Sequence, residues 1–365
     1  MQLPRPRIIA AALAAAAAIC VALPAAASAA PGYTVIDGHA NNPRQLSLSH
    51  SGTLYLGEAG RAGPLCFDPE TCAGFTGSVT RIDRIWGSSA THDRIASGLI
   101  SVGGQDGSFT VGPDGVSVDP SGHVYVIFTS AGPAPPPNAP QKALDELGNL
   151  MRVNHDGSLT KVADIDDYEF AHNPDGQQVE SDPYAVLAGR GYQIVADAAA
   201  NAVYRVQNGK VHVLAVFPDN RFGADAVPTS LTWGPHGSVL VGELGGDGTP
   251  TGGSKVWQIW PGKLHQKPTV YLRGFTAITG LAWRNGSLYL SELTTDAATF
   301  SPDGAVVKVH DGRRTTLGAG ILHYPGGVAV DRHGRVYVSQ WSILPGFPPD
   351  GSPFGPAHGS VIRLK

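Results

Sequence analysis

The segment "GPHGSVLVGE" at residues 234–243 decides the fold, because the same pattern returns along the whole chain. A glycine turn is followed by small and apolar residues in alternation, which is typical of the second arm of a β-hairpin with one buried face. Further copies end at Glu58, Phe128, Asp197, Glu292 and Gln340. The six turn glycines are Gly52, Gly122, Gly191, Gly237, Gly286 and Gly334. Such internal repetition predicts one structural unit used six times, with insertions in the longer intervals.

Each copy belongs to a larger unit of antiparallel strands. In the quoted repeat, "SLTWG" precedes the hairpin arm, "SKVWQIW" follows it, and most units add a fourth strand. Four strands repeated six times predict an all-β fold, a six-bladed β-propeller, whereas a β-sandwich does not explain the period. The last unit is one strand short, and residues 33–38 ("YTVIDG") supply an extra strand before the first unit. We expect this strand to pair with residues 359–365 and to close the ring without an open edge.

The N-terminal segment has the features of a secretory signal peptide. Arg5 and Arg7 precede an apolar run, and the small residues Ala27, Ser28 and Ala29 form an A-x-A site. We expect cleavage after Ala29, so that residues 1–29 are the signal peptide and residues 30–365 form a single propeller domain. The apolar run is shorter than a membrane span, and no later segment approaches that length. The sequence therefore predicts a secreted protein, extracellular or periplasmic, without a transmembrane segment.

The net charge disfavours one class of partner, and the cysteines indicate the redox compartment. Without the signal peptide the chain has 24 basic and 30 acidic side chains, a net charge of −6, which disfavours nucleic acid as a partner. Cys66 and Cys72 in "CFDPETC" predict a local disulfide in an oxidising compartment. A redox or zinc pair would favour C-x-x-C spacing with further ligands. We expect a monomer.

The long loops of the predicted propeller gather on one face, which we call the loop-rich face. Second strands end there and first strands begin there, whereas the opposite face carries tight turns such as "RNGS" and "QNGK". The loop-rich face holds residues 59–76, 98–112, 129–147, 164–182, 244–253 and 341–358. Because long loops on a rigid scaffold usually carry recognition, we expect the functional surface on this face.

The mouth of the central channel on the loop-rich face supplies the candidate ligand-binding residues. Those expected to open the innermost strands are Arg44, Asp114, Tyr184, Thr229, Thr279 and Tyr324. One strand further out, the repeat ends in the carboxylates of Glu58, Asp197, Glu243 and Glu292. Two interpretations of these carboxylates stay open. They either accept backbone hydrogens of neighbouring loops, or converge on a hard divalent cation such as calcium in the channel.

Other candidates are weaker. His172 and His323 lie in loops of the loop-rich face, where a lone histidine is usually only hydrogen-bonded. The sequence has neither the G-x-S-x-G motif of serine hydrolases nor the H-E-x-x-H motif of zinc proteases.

Several stretches carry a resemblance to a known family. They are "LYLGEAGRAGPLCFDPETCAGFTGSVTRI", "FAHNPDGQQVESDPYAVL", "ADAAANAVYRV", "VPTSLTWGPHGSVLVGEL" and "GFTAITGLAWRNGSLYLSEL". They resemble the ScyD/ScyE family of secreted propeller-like proteins and, more distantly, NHL-type, gluconolactonase and streptogramin-lyase propellers. The resemblance implies a six-bladed propeller exported from a bacterial cytoplasm, and it carries no activity with it. The Glu, Asn and Asp metal ligands of the lactonase-like relatives do not map onto this chain residue by residue.

Two functions from different classes follow. The first is a non-catalytic binding or scaffold module, whose loop-rich face holds a glycan, a pigment-like aromatic molecule or another protein. The second is a metal-assisted hydrolase or lyase of a lactone or small ester, in which a channel-bound cation polarises a carbonyl and a carboxylate acts as base.

Overall fold

A computed structural model describes residues 32–68, 71–87, 89–104, 106–130, 132–343 and 358–365. The predicted signal peptide and most of the predicted loop at 341–358 lie outside these ranges. Residues Gly32–Lys365 form one compact unit.

Short strands dominate this unit. In chain order they are β1 (Tyr33–Ala40), β2 (Pro43–Leu48), β3 (Leu54–Glu58), β4 (Leu65–Cys66), β5 (Cys72–Asp83), β6 (Thr91–Gly103), β7 (Pro113–Val118), β8 (Val124–Phe128), β9 (Asn149–Val153), β10 (Leu159–Asp164), β11 (Pro183–Ala188), β12 (Gln193–Asp197), β13 (Ala202–Gln207), β14 (Lys210–Val216), β15 (Pro228–Trp233), β16 (Val239–Glu243), β17 (Ser254–Ile259), β18 (Thr269–Phe275), β19 (Ile278–Arg284), β20 (Ser287–Glu292), β21 (Ala305–His310), β22 (Arg313–Leu317), β23 (Val328–Val330), β24 (Val336–Gln340) and β25 (Gly359–Leu364). The described residues also form two helices, α1 (Gln141–Glu146) and α2 (Ile165–His172), and a 3₁₀ turn at Pro235–Gly237.

The strands form six antiparallel sheets in the described part of the chain, and each sheet is one blade. Blade 1 has the order β2-β3-β5-β4, with β6 also paired to β5. Blades 2 to 5 each run through four consecutive strands, beginning at β7, β11, β15 and β19. Blade 6 has the order β23-β24-β25-β1. Each innermost strand contacts the innermost strands of the two neighbouring blades, including β23 against β2. The predicted six-bladed β-propeller is confirmed.

The ring is closed by the first strand of the unit, as predicted. β1 pairs antiparallel with β25, from Tyr33 opposite Leu364 to Ala40 opposite Gly359. The backbone N–H of Lys365 donates to the carbonyl of Gly32 at 3.0 Å. Blade 6 thereby gains the fourth strand that its own segment of the chain does not provide.

The hydrophobic core lies between blades. In β16, which holds the quoted repeat, Val239 and Val241 belong to a cluster with Ile194 of blade 3. Leu240 points the other way and packs in a cluster with Ile278 and Leu288 of blade 5. The strand is therefore buried on both faces, and the expectation of a single buried face is wrong. The reason is that every blade is sandwiched between two others.

The loop-rich face carries structure beyond simple loops. The predicted disulfide is present between Cys66 and Cys72, with an S–S distance of 2.03 Å. Helix α1 lies between the second and third strands of blade 2, and α2 lies between blades 2 and 3. The Asp164 carboxylate caps α2 by accepting from the N–H of Asp167, and Asn173 ends the helix in the left-handed conformation. Within the described ranges, no helix is long and apolar enough to cross a membrane.

Candidate functional site

The predicted channel-mouth residues fall at equivalent positions in five of the six blades. In each of these blades, one residue of the innermost strand pairs with the last residue of the second strand, as Pro43 pairs with Glu58 and Pro228 with Glu243. The channel-mouth residue comes directly after it in the chain. These five residues are Arg44, Asp114, Tyr184, Thr229 and Thr279.

Tyr324 does not occupy the sixth equivalent position. It lies two residues before Gly326, which takes that place in blade 6, because "YPGG" opens the last inner strand later than the other repeats suggest. A side chain at the next residue, Gly327, would place a Cβ 2.5 Å from the backbone nitrogen of Leu46. The Tyr324 hydroxyl instead donates to the carbonyl of Phe300 at 2.9 Å, away from the inner strands.

Arg44 forms a buried clamp between blades 1 and 2. Its Nε lies 3.2 Å from Oδ1 of Asp114, and both side chains are almost completely buried. Its Nη2 donates to the carbonyl of Thr110. Burial raises the pKa of Asp114 to about 7, and the Arg44 charge opposes that rise. Burial also raises the pKa of Tyr184, again against the effect of Arg44. The guanidinium group of Arg44 is therefore already bonded inside the protein, to Asp114 and to the carbonyl of Thr110.

The two threonines link neighbouring blades instead of facing a ligand. Thr229 Oγ1 donates to the carbonyl of Ile278 at 2.6 Å, and Thr279 Oγ1 donates to the carbonyl of Pro325 at 2.8 Å. Their own carbonyls accept from Nε2 of Gln45, which reaches from blade 1 to blades 4 and 5.

Gln45 is a channel residue that sequence reasoning missed. Its equivalents in the other blades are all small: Gly115, Ala185, Ser230, Gly280 and Gly327. That contrast is visible in the sequence and could have identified Gln45. A cavity of about 150 Å³ is lined by Gln45, Leu48, Trp283 and other residues from the innermost strands of all six blades. Gln45 spans this channel near its loop-rich end.

Three of the four strand-end carboxylates hold the backbone that leads into the inner strand of their own blade. Glu58 accepts from the N–H of Asn41 at 2.7 Å, and Asp197 accepts from the N–H of Asp182 at 2.7 Å. Glu292 accepts from the N–H of Thr276 at 2.8 Å. In blade 6 the neutral amide of Gln340 takes the same role, since its Oε1 accepts from the N–H of His323 at 3.3 Å.

Side chains satisfy these carboxylates further. Glu58 accepts from Ser78 Oγ at 3.0 Å and lies 3.2 Å from Nη2 of Arg94. Asp197 accepts from Ser181 Oγ at 2.7 Å and from the N–H of Ala200 at 3.2 Å. Burial raises the pKa of Asp197 to about 8.

Glu243 is bound differently from the other three. It is buried, and its two oxygens accept from Nε1 of Trp257 and from Nζ of Lys255, the latter at 3.1 Å. Burial raises the pKa of Glu243 as well. The carboxylate that ends the quoted repeat therefore holds the third strand of its own blade.

The four carboxylates do not meet in the channel. Each is bound within its own blade, one strand outside the innermost ring. Among the residues that the structure describes, no group of three or more histidine, cysteine, aspartate or glutamate side chains is arranged to hold a metal ion. The geometry of the described carboxylates favours the interpretation as loop and strand anchors.

A second acidic region on the loop-rich face lies in α2. Glu169 of α2 is completely buried, and Tyr204 donates to its Oε2 at 2.6 Å. Burial raises the pKa of Glu169 to about 7. Ser130 donates to Oδ2 of the nearby Asp166 at 2.7 Å. These acids stand in "DIDDYEF", where their charge suggests solvent exposure, and only the packing of α2 against blades 2 and 3 buries them.

An aromatic cluster lies on the loop-rich face between blades 5 and 6. It consists of Phe300, His323, Tyr324 and Trp341. Ring centroids are 5.6 Å apart for Phe300 and Tyr324, 6.2 Å for Tyr324 and Trp341, and 4.8 Å for the stacked His323 and Trp341. The sequence indicated His323 only as a lone loop histidine, because its ring partners are distant along the chain.

Comparisons with known proteins agree with the fold. No family model and no curated protein sequence matches the chain. Among solved structures, the PQQ-bound form of an aldose sugar dehydrogenase from Streptomyces coelicolor is 14% identical with a TM-score of 0.53, covering 91% of this chain and 96% of that one. A gluconolactonase from Xanthomonas campestris is 12% identical with a TM-score of 0.51, covering 90% and 88%. A streptogramin B lyase is 11% identical with a TM-score of 0.50, covering 91% and 96%. At these identities the likeness concerns architecture alone, and it places this chain among the six-bladed β-propellers.

Proposed function

We propose that the protein is a secreted binding module of the ScyD/ScyE type that recognises its ligand on the loop-rich face. The observation that carries the proposal is a contrast on the loop-rich face between polar side chains that are already bonded within the protein and aromatic side chains that are exposed. The polar candidates of the channel mouth are already used in contacts between or within blades. In contrast, the same face exposes Phe109 by 58%, Phe222 by 46% and Phe300 by 40%. Exposed aromatic side chains on a rigid scaffold are typical of recognition surfaces.

The proposed location of the protein has its own support. A disulfide is expected where the compartment is oxidising, and the Cys66–Cys72 bridge fits export. The predicted signal peptide at residues 1–29 points the same way. The loop-rich face would then meet ligands outside the cytoplasm.

A second candidate function is hydrolysis or elimination on a lactone or small ester, and one observation favours it. Burial raises the pKa of Asp114 to about 7, and this carboxyl group lies beside Arg44 and Tyr184 at the channel mouth. Carboxyl groups with pKa values near the working pH are often general bases. In this candidate, Asp114 would take a proton from water or substrate, and a divalent cation would polarise the carbonyl.

One pair of variants tests the binding module. Phe109, Phe222 and Phe300 are changed together to alanine, and the matched control changes Trp86, Trp260 and Leu264, which are similarly exposed in turns of the opposite face. Binding of the mature protein to immobilised polysaccharides and to extracellular proteins of the producing cells is measured for both. We expect loss only in the first variant, and equal binding by both would refute the proposal.

The competing reaction is tested with the same protein. A panel of lactones and small esters is offered with calcium, manganese or zinc, and Asp114→Asn is the comparison. Turnover by the unchanged protein that disappears in a folded Asp114→Asn variant would replace the binding module with the enzyme.

A further inference from the structure

We infer that the aromatic cluster between blades 5 and 6, together with Phe109 and Asp303, is a subsite for a neutral oligosaccharide. The inference rests on the proposed function, because it names the ligand class of the loop-rich face. Pyranose rings present an apolar C–H face that packs on aromatic rings and a rim of hydroxyls that bonds to carboxylates and imidazoles. Binding sites of this kind combine aromatic walls with a few placed polar groups.

The cluster presents rings on a supported base. Tyr324 is almost completely buried, and its hydroxyl holds the carbonyl of Phe300, so it fixes the exposed ring from below. Trp341 is half-buried and stacks on His323 with an interplanar angle of 28°. Phe300 and Trp341 are thereby held as neighbouring surfaces instead of free side chains.

The backbone at two of these rings is unusual for aromatic residues. Phe300 has φ 49° and Trp341 has φ 55°, both in the left-handed region that bulky side chains rarely adopt. Tyr324 has φ 40°, but Asn42, Val227 and Ala277 share this conformation at the same place in other blades, so it belongs to the repeat. The residues equivalent to Trp341 in the other five blades are not left-handed. Such strain is retained mainly where the surroundings demand a particular side-chain position.

Polar groups lie beside the rings. Asp303 is 61% exposed, and its Oδ1 lies 3.6 Å from Nδ1 of His323. Nδ1 itself is buried and makes no hydrogen bond to a described residue, and the His323 side chain as a whole is 33% exposed. Because a carboxylate offers several acceptor positions, the exposed carboxylate of Asp303 can accept from sugar hydroxyls.

Phe109 extends the surface toward blade 1. Its backbone N–H donates to the carbonyl of Ile343 at 2.8 Å, two residues beyond Trp341. With Phe300 it exposes aromatic area on the order of 200 Å², given 150–250 Å² for a whole aromatic side chain. A stable protein partner needs about 800 Å² on each side, so this surface suits a few sugar rings better than a folded protein.

Charge decides between neutral and acidic sugars. Without the signal peptide the chain carries a formal net charge of −6, and Asp303 places one of its carboxylates within the subsite. An anionic glycan would be repelled there, whereas neutral hydroxyls would be bound. The occupant is therefore a neutral glycan.

The test uses the mature protein and defined probes: hexamers of β-1,4-glucose, β-1,3-glucose, β-1,4-mannose and β-1,4-N-acetylglucosamine, with alginate as the acidic comparison. Calorimetry gives Kd for the unchanged protein and for Phe300→Ala, Asp303→Asn and Trp341→Phe. The control is Trp260→Ala, which removes a similarly exposed aromatic ring from a turn of the opposite face. We expect one neutral hexamer to bind, at least tenfold weaker binding in Phe300→Ala and Asp303→Asn, and unchanged binding in Trp260→Ala.

The outcomes separate the subsite from the proposed function. Failure of every neutral hexamer to bind, tighter binding of alginate, or unchanged affinity in a folded Phe300→Ala variant would overturn the subsite. The proposed function stands without the subsite if the triple variant of the loop-rich face loses binding to extracellular material and the triple variant of the opposite face retains it. Lactone turnover with no ligand binding on the loop-rich face would overturn both.

Discussion

Replacing Glu243 by alanine should destabilise the fold without removing a metal-binding site. The carboxylate is completely buried and accepts from Trp257 Nε1 and from Lys255 Nζ, whose side chain is itself only 12% exposed. Removing one partner of a buried ion pair costs about 3–5 kcal/mol, because the other charge is left without compensation. The lost acceptor of the indole N–H is included in that range, since the two effects share one group. Urea unfolding followed by tryptophan fluorescence measures the change in the free energy of unfolding.

Two further variants show whether the loss has this cause. Lys255→Met in the Glu243→Ala background removes the uncompensated ammonium group and should restore about 1–3 kcal/mol. Asp247→Ala, an exposed acid in the next loop, should change the free energy of unfolding by less than about 0.5 kcal/mol. A loss below about 1 kcal/mol in Glu243→Ala, with a divalent cation bound by the unchanged protein and absent from the variant, would refute the anchoring argument.

Three other perturbations test the closure, the buried acids and the channel. Ile36→Ala in β1 should lower the free energy of unfolding by about 3 kcal/mol, because Ile36 packs in the core. Val35→Ala at the exposed neighbouring position should lower it by less than about 0.5 kcal/mol. Equally small losses in urea unfolding would contradict the closure of the ring by β1. Burial raises the pKa of Asp197 to about 8 in the folded protein, against an ordinary value of 3.8, so between these two pH values the folded state keeps a proton that the unfolded chain has lost. The free energy of unfolding should therefore fall as the pH rises from about 4 to about 8. Asp197→Asn should reduce the slope of this pH dependence by up to one proton, and an unchanged slope would contradict the argument. Gln45→Ala should cost about 1–2 kcal/mol for its two hydrogen bonds across the channel, measured by the same unfolding, and no loss would show that water replaces them fully.

The repeated architecture could be predicted because its signals are local. Turn glycines and alternating apolar residues recur within each unit, and the missing strand of the last unit has a visible counterpart at residues 33–38. The two-sided burial of β16 could not be read from ten residues, since it depends on the blades that flank it.

The candidate site was harder to predict because its contacts are long-range. Gln45 and Thr279 are 234 positions apart in the chain, and no local pattern joins them. The aromatic cluster draws on residues from two blades whose spacing follows no motif. Tyr324 was misplaced for a related reason, since "YPGG" shifts the start of one inner strand by two residues. The four carboxylates end the second strands of their blades, and their partners, which decide their role, became visible only in three dimensions.

The pairing of β1 with β25 ties the order of synthesis to the completion of folding. A ribosome makes β1 before the five blades that follow, yet its partner strand emerges after all of them. Until then blade 6 has no outer strand and the incomplete arc leaves β-edges open to wrong partners. The closing contact also has very high sequence separation, which slows folding. Because Gly32 and Lys365 are hydrogen-bonded neighbours, they can be joined and the chain cut between blades 2 and 3, at the exposed Gln177–Gln178. In this circular permutant every blade is built from consecutive strands. Such a permutant should refold faster than the natural chain order.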